Sequence, residues 1–271
     1  MRFLFLLALS LSSSGALALP LYELGVAAGS GYVPDYPASD EGRVRTLVLP
    51  NFRYRGKVIR ADEEGGLRAR VAQKSRYDFD LSFGGAFPVN AGENRARKDM
   101  EPLDWLVEFG ARLMITVWDH PGESRLRIGL PLRSVFSANG TNFTRRGFVT
   151  VPGLIHEQFA WPCQRCRTLS FFGPTLASEG VADYFYQVEK KDVTPERGEY
   201  DARRGLIGTD LTTGLAYTHQ SWEVYIGGRV SSYAGAANRA SPLFRRETNV
   251  AGFIAFGWLF YQSSAEAYSV R

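Results

Sequence analysis

Long stretches of this chain alternate between apolar and polar residues at every second position. Successive side chains of an extended strand point to opposite faces, so this period predicts strands with one apolar and one polar face. The polar positions hold Asp, Glu, Arg, Ser, Thr and Gly, and the repeat predicts an all-β protein. The apolar sets are Trp105, Val107, Phe109, Ala111, Leu113, Ile115 and Val117; Tyr77, Phe79, Leu81, Phe83 and Phe87; Leu126, Ile128, Leu130 and Leu132; and Trp222, Val224, Ile226 and Val230.

Two architectures contain such strands. A soluble β-sandwich or barrel turns the apolar faces inward, whereas a transmembrane barrel turns them to lipid. Several predicted strands exceed the ~5–6 residues usual in soluble sheets and reach the roughly 9–11 that span a bilayer. Their polar faces hold glycine and charges of both signs, and short connections alternate with long ones. These features favour an antiparallel transmembrane β-barrel with long outer loops and short periplasmic turns.

The composition excludes two other classes of protein. The mean hydropathy is −0.18, and no internal stretch offers the ~20 consecutive apolar residues that a transmembrane helix requires. The formal net charge is +4, from 32 Lys and Arg against 28 Asp and Glu, and the arginines are scattered rather than clustered. The sequence therefore predicts neither a helical membrane protein nor a nucleic-acid partner.

The lengths of the connections allow the strands to be counted. With the long connections outside, the loop 88–103 falls on the outer side only if Glu64-Gly65 forms a tight outer hairpin, and both chain ends then lie in the periplasm. This hairpin gives twelve strands, an even number, and ten strands are the alternative. The predicted strand cores are 21–32, 44–55, 57–63, 66–72, 76–87, 104–118, 123–136, 146–161, 166–187, 204–218, 220–234 and 246–262. The predicted short connections are Gly56, 72–75, 119–122, 162–165 and His219, and the long ones are 33–43, 88–103, 137–145, 188–203 and 235–245.

The first 18 residues have the order of a secretory signal peptide. Arg2 supplies a positive start, an apolar core follows, and Ala16-Leu17-Ala18 gives the small-x-small pattern of a cleavage site. We expect residues 1–18 to direct export and to be removed. Residues 19–271 then form the outer-membrane β-barrel domain.

The two cysteines, Cys163 and Cys166, lie three residues apart in WPCQRCR. In an oxidising compartment such a pair closes a local disulfide or serves a redox role. No βαβ pattern surrounds it, as a thioredoxin-like site would require, and zinc would need further ligands at suitable spacing. The sequence predicts a turn with either a local disulfide or two thiols, and it predicts no metal and no cofactor.

Charged residues on the polar faces of the strands are predicted to point into the lumen. Two interpretations are open: ion pairs that plug a narrow barrel, or the lining of a selective pore or ligand cavity. We favour the plug. The predicted lumen charges are Arg68, Arg70, Asp78, Asp80, Glu108, Arg112, Arg125, Arg127, Arg133, Asp210, Glu223 and Arg229.

No catalytic residues are predicted. The three histidines are His120, His156 and His219, and the first and last of them fall in predicted periplasmic turns. His156 lies within a strand beside Glu157, and no serine stands in a nucleophile-elbow setting. We therefore expect no enzymatic activity.

Six segments become recognisable once the strands and loops are placed. They are GYVPDYPASDEGRVR (31–45), LPNFRYRG (49–56), LSFGGAFPVNAGENRARKDM (81–100), LPLRSVFS (130–137), YDARRGL (200–206) and SPLFRRETNVAGFIAFGW (241–258). In this order they resemble the MltA-interacting protein family, also called the MipA/OmpV family of outer-membrane proteins. The resemblance implies an outer-membrane β-barrel without enzymatic activity.

The resemblance also implies a function and partners. The founding member is viewed as a scaffold that joins a murein-degrading lytic transglycosylase to a bifunctional murein synthase. The implied partners are outer-membrane lipid and these periplasmic murein enzymes, with contacts expected at turns 119–122 and 162–165. Other family members resemble adhesins or permeability barrels. The alternatives are therefore a channel or uptake barrel, or an adhesin-like surface protein that uses loops 88–103 and 188–203.

Overall fold

A computed structural model describes residues 19–56, 59–62, 65–69 and 76–267. The predicted signal peptide, Arg70 and the connection 72–75 lie outside the described residues. Within these residues the chain forms strands, one short helix and three 3-10 turns. The strands are β1 (Tyr22–Pro34), β2 (Gly42–Arg55), β3 (Ile59–Asp62), β4 (Gly65–Ala69), β5 (Tyr77–Ala86), β6 (Trp105–His120), β7 (Ser124–Asn139), β8 (Asn142–Thr150), β9 (Gly153–Phe159), β10 (Cys166–Ala177), β11 (Gly205–His219), β12 (Trp222–Ser232) and β13 (Thr248–Gln262). The helix is α1 (Glu179–Tyr186), and the turns are Ala91–Glu93, Arg95–Arg97 and Lys190–Asp192.

The strands form one antiparallel sheet that closes on itself. Neighbours in the sheet follow chain order, and β13 pairs with β1 along most of its length. β8 and β9 both lie between β7 and β10 and so share one place in the ring. Pro152, which has no N–H to donate, stands between them. The described strands thus fill twelve places, and the predicted antiparallel β-barrel is confirmed.

The connections differ at the two ends of the barrel. The long-loop end carries the connections 35–41, 87–104, 178–204 and 233–247. The short-turn end carries tight turns at 121–123, 160–165 and 220–221. In outer-membrane barrels the long loops lie outside the cell and the short turns in the periplasm.

The alternating apolar side chains point away from the lumen. On β7, Leu130 and Leu132 are 42% and 60% exposed, whereas Arg127 and Val135 of the opposite face are buried. This arrangement presents an apolar outer surface with aromatic rims, as lipid requires. The exposed aromatic residues include Tyr32, Trp105 and Phe143 towards the long-loop end and Trp118, Trp258 and Tyr261 towards the short-turn end.

The prediction of one strand over 166–187 is wrong in its second half. β10 ends at Ala177 and α1 starts after Ser178. The segment is helical because its apolar residues recur at positions that share one helix face. Among the described residues, no helix has both the length and the apolar character needed to cross a membrane. The buried residues of α1 are Val181, Ala182, Phe185 and Tyr186.

The prediction of a long loop at 137–145 is also wrong. β7 continues to Asn139, which pairs with Asn142 at the start of β8. The connection is therefore a two-residue hairpin turn. Gly140 in this turn has a φ of +59°, a conformation that glycine adopts without steric cost.

Of the short hairpin predicted at Glu64-Gly65, the two strands are present as β3 and β4, which pair antiparallel, and Glu64 lies outside the described residues. The described residues of the hairpin pair with neighbouring strands only near the short-turn end, through the last two residues of β2 and through Phe79 and Asp80 of β5. Among the described residues, no strand pairs with residues 42–52 of β2 on the side away from β1. In the part of the chain that the structure describes, the wall of the barrel is therefore incomplete between β2 and β5 at the long-loop end.

The hydrophobic core lies at the long-loop end. Here α1 and the loops 35–41, 87–104 and 233–247 fold over the mouth of the barrel, and we call this assembly the roof. It packs on inward-facing residues of the strands, such as Val135 and Leu106. Large side chains of the roof that are fully buried include Val89, Tyr186 and Leu243.

Candidate functional site

Towards the short-turn end, the lumen is filled by ion pairs between strands. The Nη2 atom of Arg55 lies 2.5 Å from Oε2 of Glu23, and both side chains are buried. The Nη2 atom of Arg127 lies 2.9 Å from Oε2 of Glu157, whose side chain is only 4% exposed. Further pairs complete what we call the ion-pair layer: Arg112–Asp80 at 2.5 Å, Arg53–Glu223 at 3.1 Å and Arg125–Asp119 at 3.1 Å.

The Asp80–Arg112 pair shows how the sheet builds this layer. The two residues are cross-strand neighbours on β5 and β6. Arg112 donates two parallel hydrogen bonds, from Nε at 2.8 Å and from Nη2 at 2.5 Å, to the two carboxylate oxygens of Asp80. Such bidentate pairs are among the strongest charged contacts in proteins. Alternation places both side chains on the lumen face, and the register places them opposite each other.

The ion-pair layer matches each acidic side chain with a guanidinium group. A buried charge without a partner costs several kcal/mol, so matching allows charged side chains to fill the lumen. A barrel of this strand number is otherwise wide enough to begin to hold water. The layer therefore packs this half of the lumen with the barrel's own side chains.

Between the ion-pair layer and the roof lies a cavity of about 540 Å³. This volume falls within the range of small-molecule sites. Aromatic side chains line it from several sides, including Phe171 and Phe253 of the strands and Phe185 of α1. Its polar lining consists of Asp35, Arg45, Glu108, Arg133, Thr175, Asp210, Thr212, Arg229 and Ser231.

Arg133 and Glu108 form an ion pair on one wall of the cavity. Arg133 Nε lies 3.3 Å from Glu108 Oε2 but is not aligned for a hydrogen bond, and Nε makes none. Its Nη1 donates to the carbonyl oxygen of Phe83 at 3.0 Å. The pair fits because residue 84 is glycine, since a Cβ there would meet both charged groups.

Asp210 and Arg229 lie on adjacent strands of another wall. Asp210 accepts hydrogen bonds from Ser231 Oγ at 2.5 Å and from Thr175 Oγ1 at 3.5 Å. Arg229 is exposed to the cavity. Among the described residues, no carboxylate forms an ion pair with its guanidinium group. Arg229 thus differs from the arginines of the ion-pair layer.

Tyrosine hydroxyl groups hold the roof together. They donate to backbone carbonyls of distant loops: Tyr36 to Leu243 at 2.9 Å, Tyr184 to Asp104 at 2.9 Å and Tyr186 to Pro37 at 3.1 Å. Burial, helped by the charge of Asp104, raises the pKa of Tyr184 to about 12. Burial also raises the pKa of Tyr36 and of Tyr186. The three hydroxyls therefore remain protonated donors at physiological pH.

Most of the predicted lumen charges lie in one of two groups. Those in the ion-pair layer are Asp80, Arg112, Arg125, Arg127 and Glu223. Those that line the cavity are Glu108, Arg133, Asp210 and Arg229. Of the remainder, Asp78 is exposed near the start of β5, Arg68 lies opposite Asp80 in the register, and Arg70 lies outside the described residues.

Several charged residues of the lumen were not predicted. Arg53 and Arg55 alternate with Phe52 and Tyr54, so the period-two pattern itself was a signal that would have identified them. No comparable pattern marks the others, because single charges there stand among small or mixed residues. These are Glu23, Asp119 and Glu157 of the ion-pair layer. Arg45 of the cavity carried the alternating signal, since it stands two residues after Arg43 with Val44 between them.

The cysteines and histidines lie away from the cavity. Cys163 and Cys166 form a disulfide in the turn before β10, with Cα atoms 5.0 Å apart. His120 and His219 lie at the short-turn end, and His156 lies on the face of β9 opposite to Glu157. In the described part of the chain, no group of three or more His, Cys, Asp or Glu residues is placed to hold a metal ion.

The closed antiparallel ring, its apolar outer surface with aromatic rims and its charged interior define an integral β-barrel of the outer membrane. The chain belongs to the MltA-interacting protein (MipA) family, which matches residues 26–260. The family resemblance carried by the sequence segments and the predicted outer-membrane localisation are thereby confirmed.

Among solved structures, the chain is similar to a "Bacterial polysaccharide outer membrane secretin" (11% identity, 89% of this chain and 99% of that chain, TM-score 0.38). It is also similar to a "CymD monoaromatic hydrocarbon channel" (9%, 89% and 89%, 0.38) and to the outer membrane protease OmpT from Escherichia coli (8%, 88% and 96%, 0.26). Comparison with curated proteins gives no significant match. Because these TM-scores lie below 0.5, the fold assignment rests on strand pairing and family membership.

Proposed function

We propose that this outer-membrane barrel is a non-enzymatic scaffold that binds periplasmic murein-remodelling enzymes at its short-turn end. The observation that carries the proposal is membership of a family named for its interaction with MltA. By this analogy the partners are a murein-degrading lytic transglycosylase and a murein synthase. In this proposal the barrel holds the two enzymes together at the outer membrane, and the enzymes carry out the murein reactions.

Two covalent or hydrogen-bonded links at the short-turn end support a docking role. The turn before β10 is closed by the Cys163–Cys166 disulfide. The segments that flank β1 and β13 are joined by a hydrogen bond from the Leu21 N–H to the Ala265 carbonyl oxygen at 2.7 Å. A preorganised surface loses less conformational freedom when a partner binds.

An exposed tryptophan offers an anchor for a partner on this surface. Trp161 lies in the same turn as the disulfide and is 59% exposed. Its carbonyl oxygen accepts a hydrogen bond from Thr168 Oγ1 at 3.3 Å, which fixes the backbone beneath the ring. Tryptophan is enriched among residues that dominate binding energy at interfaces. Trp161 directly precedes the predicted contact turn 162–165.

Capture of the two enzymes by the purified barrel tests the proposal. We expect the wild-type barrel in detergent to retain a lytic transglycosylase and a bifunctional murein synthase from the same cell envelope. The Trp161→Ala variant should retain roughly tenfold less, in line with loss of a central anchor. The matched control is Trp105→Ala, which removes a tryptophan that is 43% exposed at the long-loop end. Capture no greater than that of an unrelated barrel contradicts the proposal.

The cavity favours a second candidate function, a channel or uptake barrel. Its 540 Å³ of space and its charged lining would suit a solute on its way through the wall. However, the roof covers one side of the cavity and the ion-pair layer fills the lumen on the other. Passage would require both to move, so we expect no steady conductance in planar bilayers. Steady conductance by the wild-type barrel would favour this candidate over the scaffold.

A further inference from the structure

We propose that the cavity beneath the roof binds a small organic monoanion with an apolar body, of the class of aromatic carboxylates. This inference goes beyond the scaffold role and does not depend on it, because the cavity and the short-turn end lie at opposite sides of the ion-pair layer. The geometry that carries it is one arginine, Arg229, that has no acidic partner among the described residues and lies in a largely apolar cavity.

Arg229 is the anion-binding group. It lines the cavity and is exposed there, whereas Arg53, Arg112 and Arg127 of the ion-pair layer each have a carboxylate partner. A guanidinium group presents several donors in a planar fork that matches a carboxylate. No carboxylate among the described residues is paired with Arg229. Its guanidinium group can therefore donate two hydrogen bonds to the carboxylate of a ligand.

The acidic side chains of the cavity are already satisfied by other groups. Asp35 accepts two hydrogen bonds from Arg43, both at 2.8 Å, and a third from Asn94 at 3.0 Å. Glu108 is paired with Arg133. Asp210 is the remaining carboxylate of the cavity lining.

Asp210 receives its hydrogen bonds from the hydroxyl groups of Ser231 and Thr175 rather than from Arg229. Asp210 and Arg229 line the cavity from adjacent strands, so a carboxylate stands near the proposed site. One unpaired arginine beside one carboxylate favours an anion with a single charge over one with two. Neutralising Asp210 should strengthen anion binding, because the local repulsion is removed.

The walls provide contact surface for an apolar body. The ring of Phe253 stacks on Tyr225 with centroids 5.5 Å apart, and a Cβ at Gly227 would strike the Phe253 ring. A Cβ at Gly153 would likewise strike the ring of Phe171. Glycine at these positions lets both rings lie close to the wall, which leaves the centre of the cavity open for another ring.

The setting of the cavity strengthens the proposed charge contact. The roof closes it at the long-loop end, and the ion-pair layer closes the lumen below. An ion pair formed in such a partly enclosed, apolar space is weakened less by water than one on the surface. A ligand that joins a carboxylate to an aromatic ring uses both features of the site at once.

Binding of 2-naphthoate to the full-length barrel in lipid nanodiscs tests the proposal. The uncharged 2-naphthylmethanol carries the same ring system without the charge, and empty nanodiscs give the background of partition into lipid. We expect the wild-type barrel to bind 2-naphthoate at least tenfold more tightly than the alcohol. The Arg229→Gln variant should bind both probes equally weakly, and Asp210→Asn should bind 2-naphthoate at least as tightly as the wild type.

Arg145→Gln is the matched control, since Arg145 is exposed and stacks on Phe148 at 4.6 Å rather than lining the cavity. It should retain wild-type affinity. Heat-dependent mobility on gels checks that each variant is folded. If Arg229→Gln fails to fold, Arg229→Lys replaces it and should bind 2-naphthoate more weakly while affinity for the alcohol is unchanged. Equal affinity of the wild type for both probes, or undiminished 2-naphthoate binding in folded Arg229→Gln, overturns the proposal.

Discussion

Arg45 extends from β2 to the loop that follows β5 and donates a hydrogen bond from Nη2 to the carbonyl oxygen of Pro88, at 2.8 Å. The two residues lie on either side of the incomplete part of the barrel wall. Arg43 on the same strand pairs with Glu93 of that loop at 2.9 Å. Two arginines thus fasten loop 87–104 to the edge of β2 that pairs with no strand among the described residues.

Replacing Arg45 by Gln is expected to loosen this loop. The loop is held internally by reciprocal hydrogen bonds between Val89 and Leu103, at 2.7 and 2.9 Å. Loss of one partly exposed charged hydrogen bond should cost about 1 kcal/mol, which corresponds to roughly fivefold faster amide exchange at these two residues. Hydrogen exchange followed by mass spectrometry measures the change, and Arg145→Gln serves as the control. Unchanged protection of Val89 and Leu103 would show that Arg45 does not fasten the loop.

Replacing Asp80 alone by Leu should lower the free energy of unfolding more than replacing both Asp80 and Arg112 by apolar residues. The single change leaves the Arg112 guanidinium, 24% exposed, without its bidentate partner. We expect a loss of about 2–3 kcal/mol, below the 3–5 of fully buried pairs because Arg112 keeps some exposure. Urea unfolding in lipid vesicles measures both variants. Lys191→Met, which breaks an exposed pair with Glu101, is the control and should change little. Equal losses in the single and double variants would contradict this expectation.

Gly84→Ala should disturb the cavity wall. The added Cβ would meet the Glu108 carboxylate and the Arg133 guanidinium, and overpacking of this kind typically costs about 1–3 kcal/mol. The control is Gly92→Ala, where the added Cβ meets nothing within 4 Å. Thermal unfolding of the two variants should separate them clearly. Similar unfolding temperatures would mean that the Glu108 and Arg133 side chains move away from the added Cβ without a loss of stability.

Tyr184→Phe should change how stability depends on pH. Burial and the charge of Asp104 raise the pKa of Tyr184 to about 12 in the folded protein, above its ordinary value of 10. The stability that follows from this shift is fully present below pH 10 and is lost as the pH rises towards 12. The unfolding temperature of the wild type should therefore fall more steeply between pH 10 and 12 than that of the variant. At pH 8 the free energy of unfolding of the variant should be lower by about 1 kcal/mol, since the hydrogen bond from residue 184 to the Asp104 carbonyl oxygen is lost. Parallel curves above pH 10 would refute the assignment.

The barrel was predictable because its signal is local. Alternation on β7 fixes which side chains face lipid, and it needs only neighbouring residues such as Leu130 and Leu132. The predicted elements were wrong where a segment was too short to show its periodicity or where polar residues interrupted the alternation. The eight residues of α1 complete barely two turns, and the polar residues around Gly140 have the composition of a loop although they form a hairpin turn.

The partners within the lumen were not predictable from the sequence. Alternation assigns a charge to the inner face, but it does not say which charge stands opposite. Arg53 and Glu223 are 170 residues apart and meet only because the ring closes through β13 and β1. The roof depends on still longer separations, such as the 207 residues between Tyr36 and Leu243. The cavity exists only once these contacts have formed.

The ring restricts how a relative of this chain can gain or lose strands. Since all neighbours must run in opposite directions, and β13 meets β1 antiparallel, segments can be exchanged only as complete hairpins. If the chain were a regular strand at Pro152, β8 and β9 would form one strand, and every loop would stay on the same side of the membrane. The hairpin of β3 and β4 is different, because it is one whole exchangeable unit. Its removal would leave a ring of ten strands in which every other loop stays on the same side of the membrane. Barrels of twelve and of ten strands with this topology therefore differ by a single hairpin.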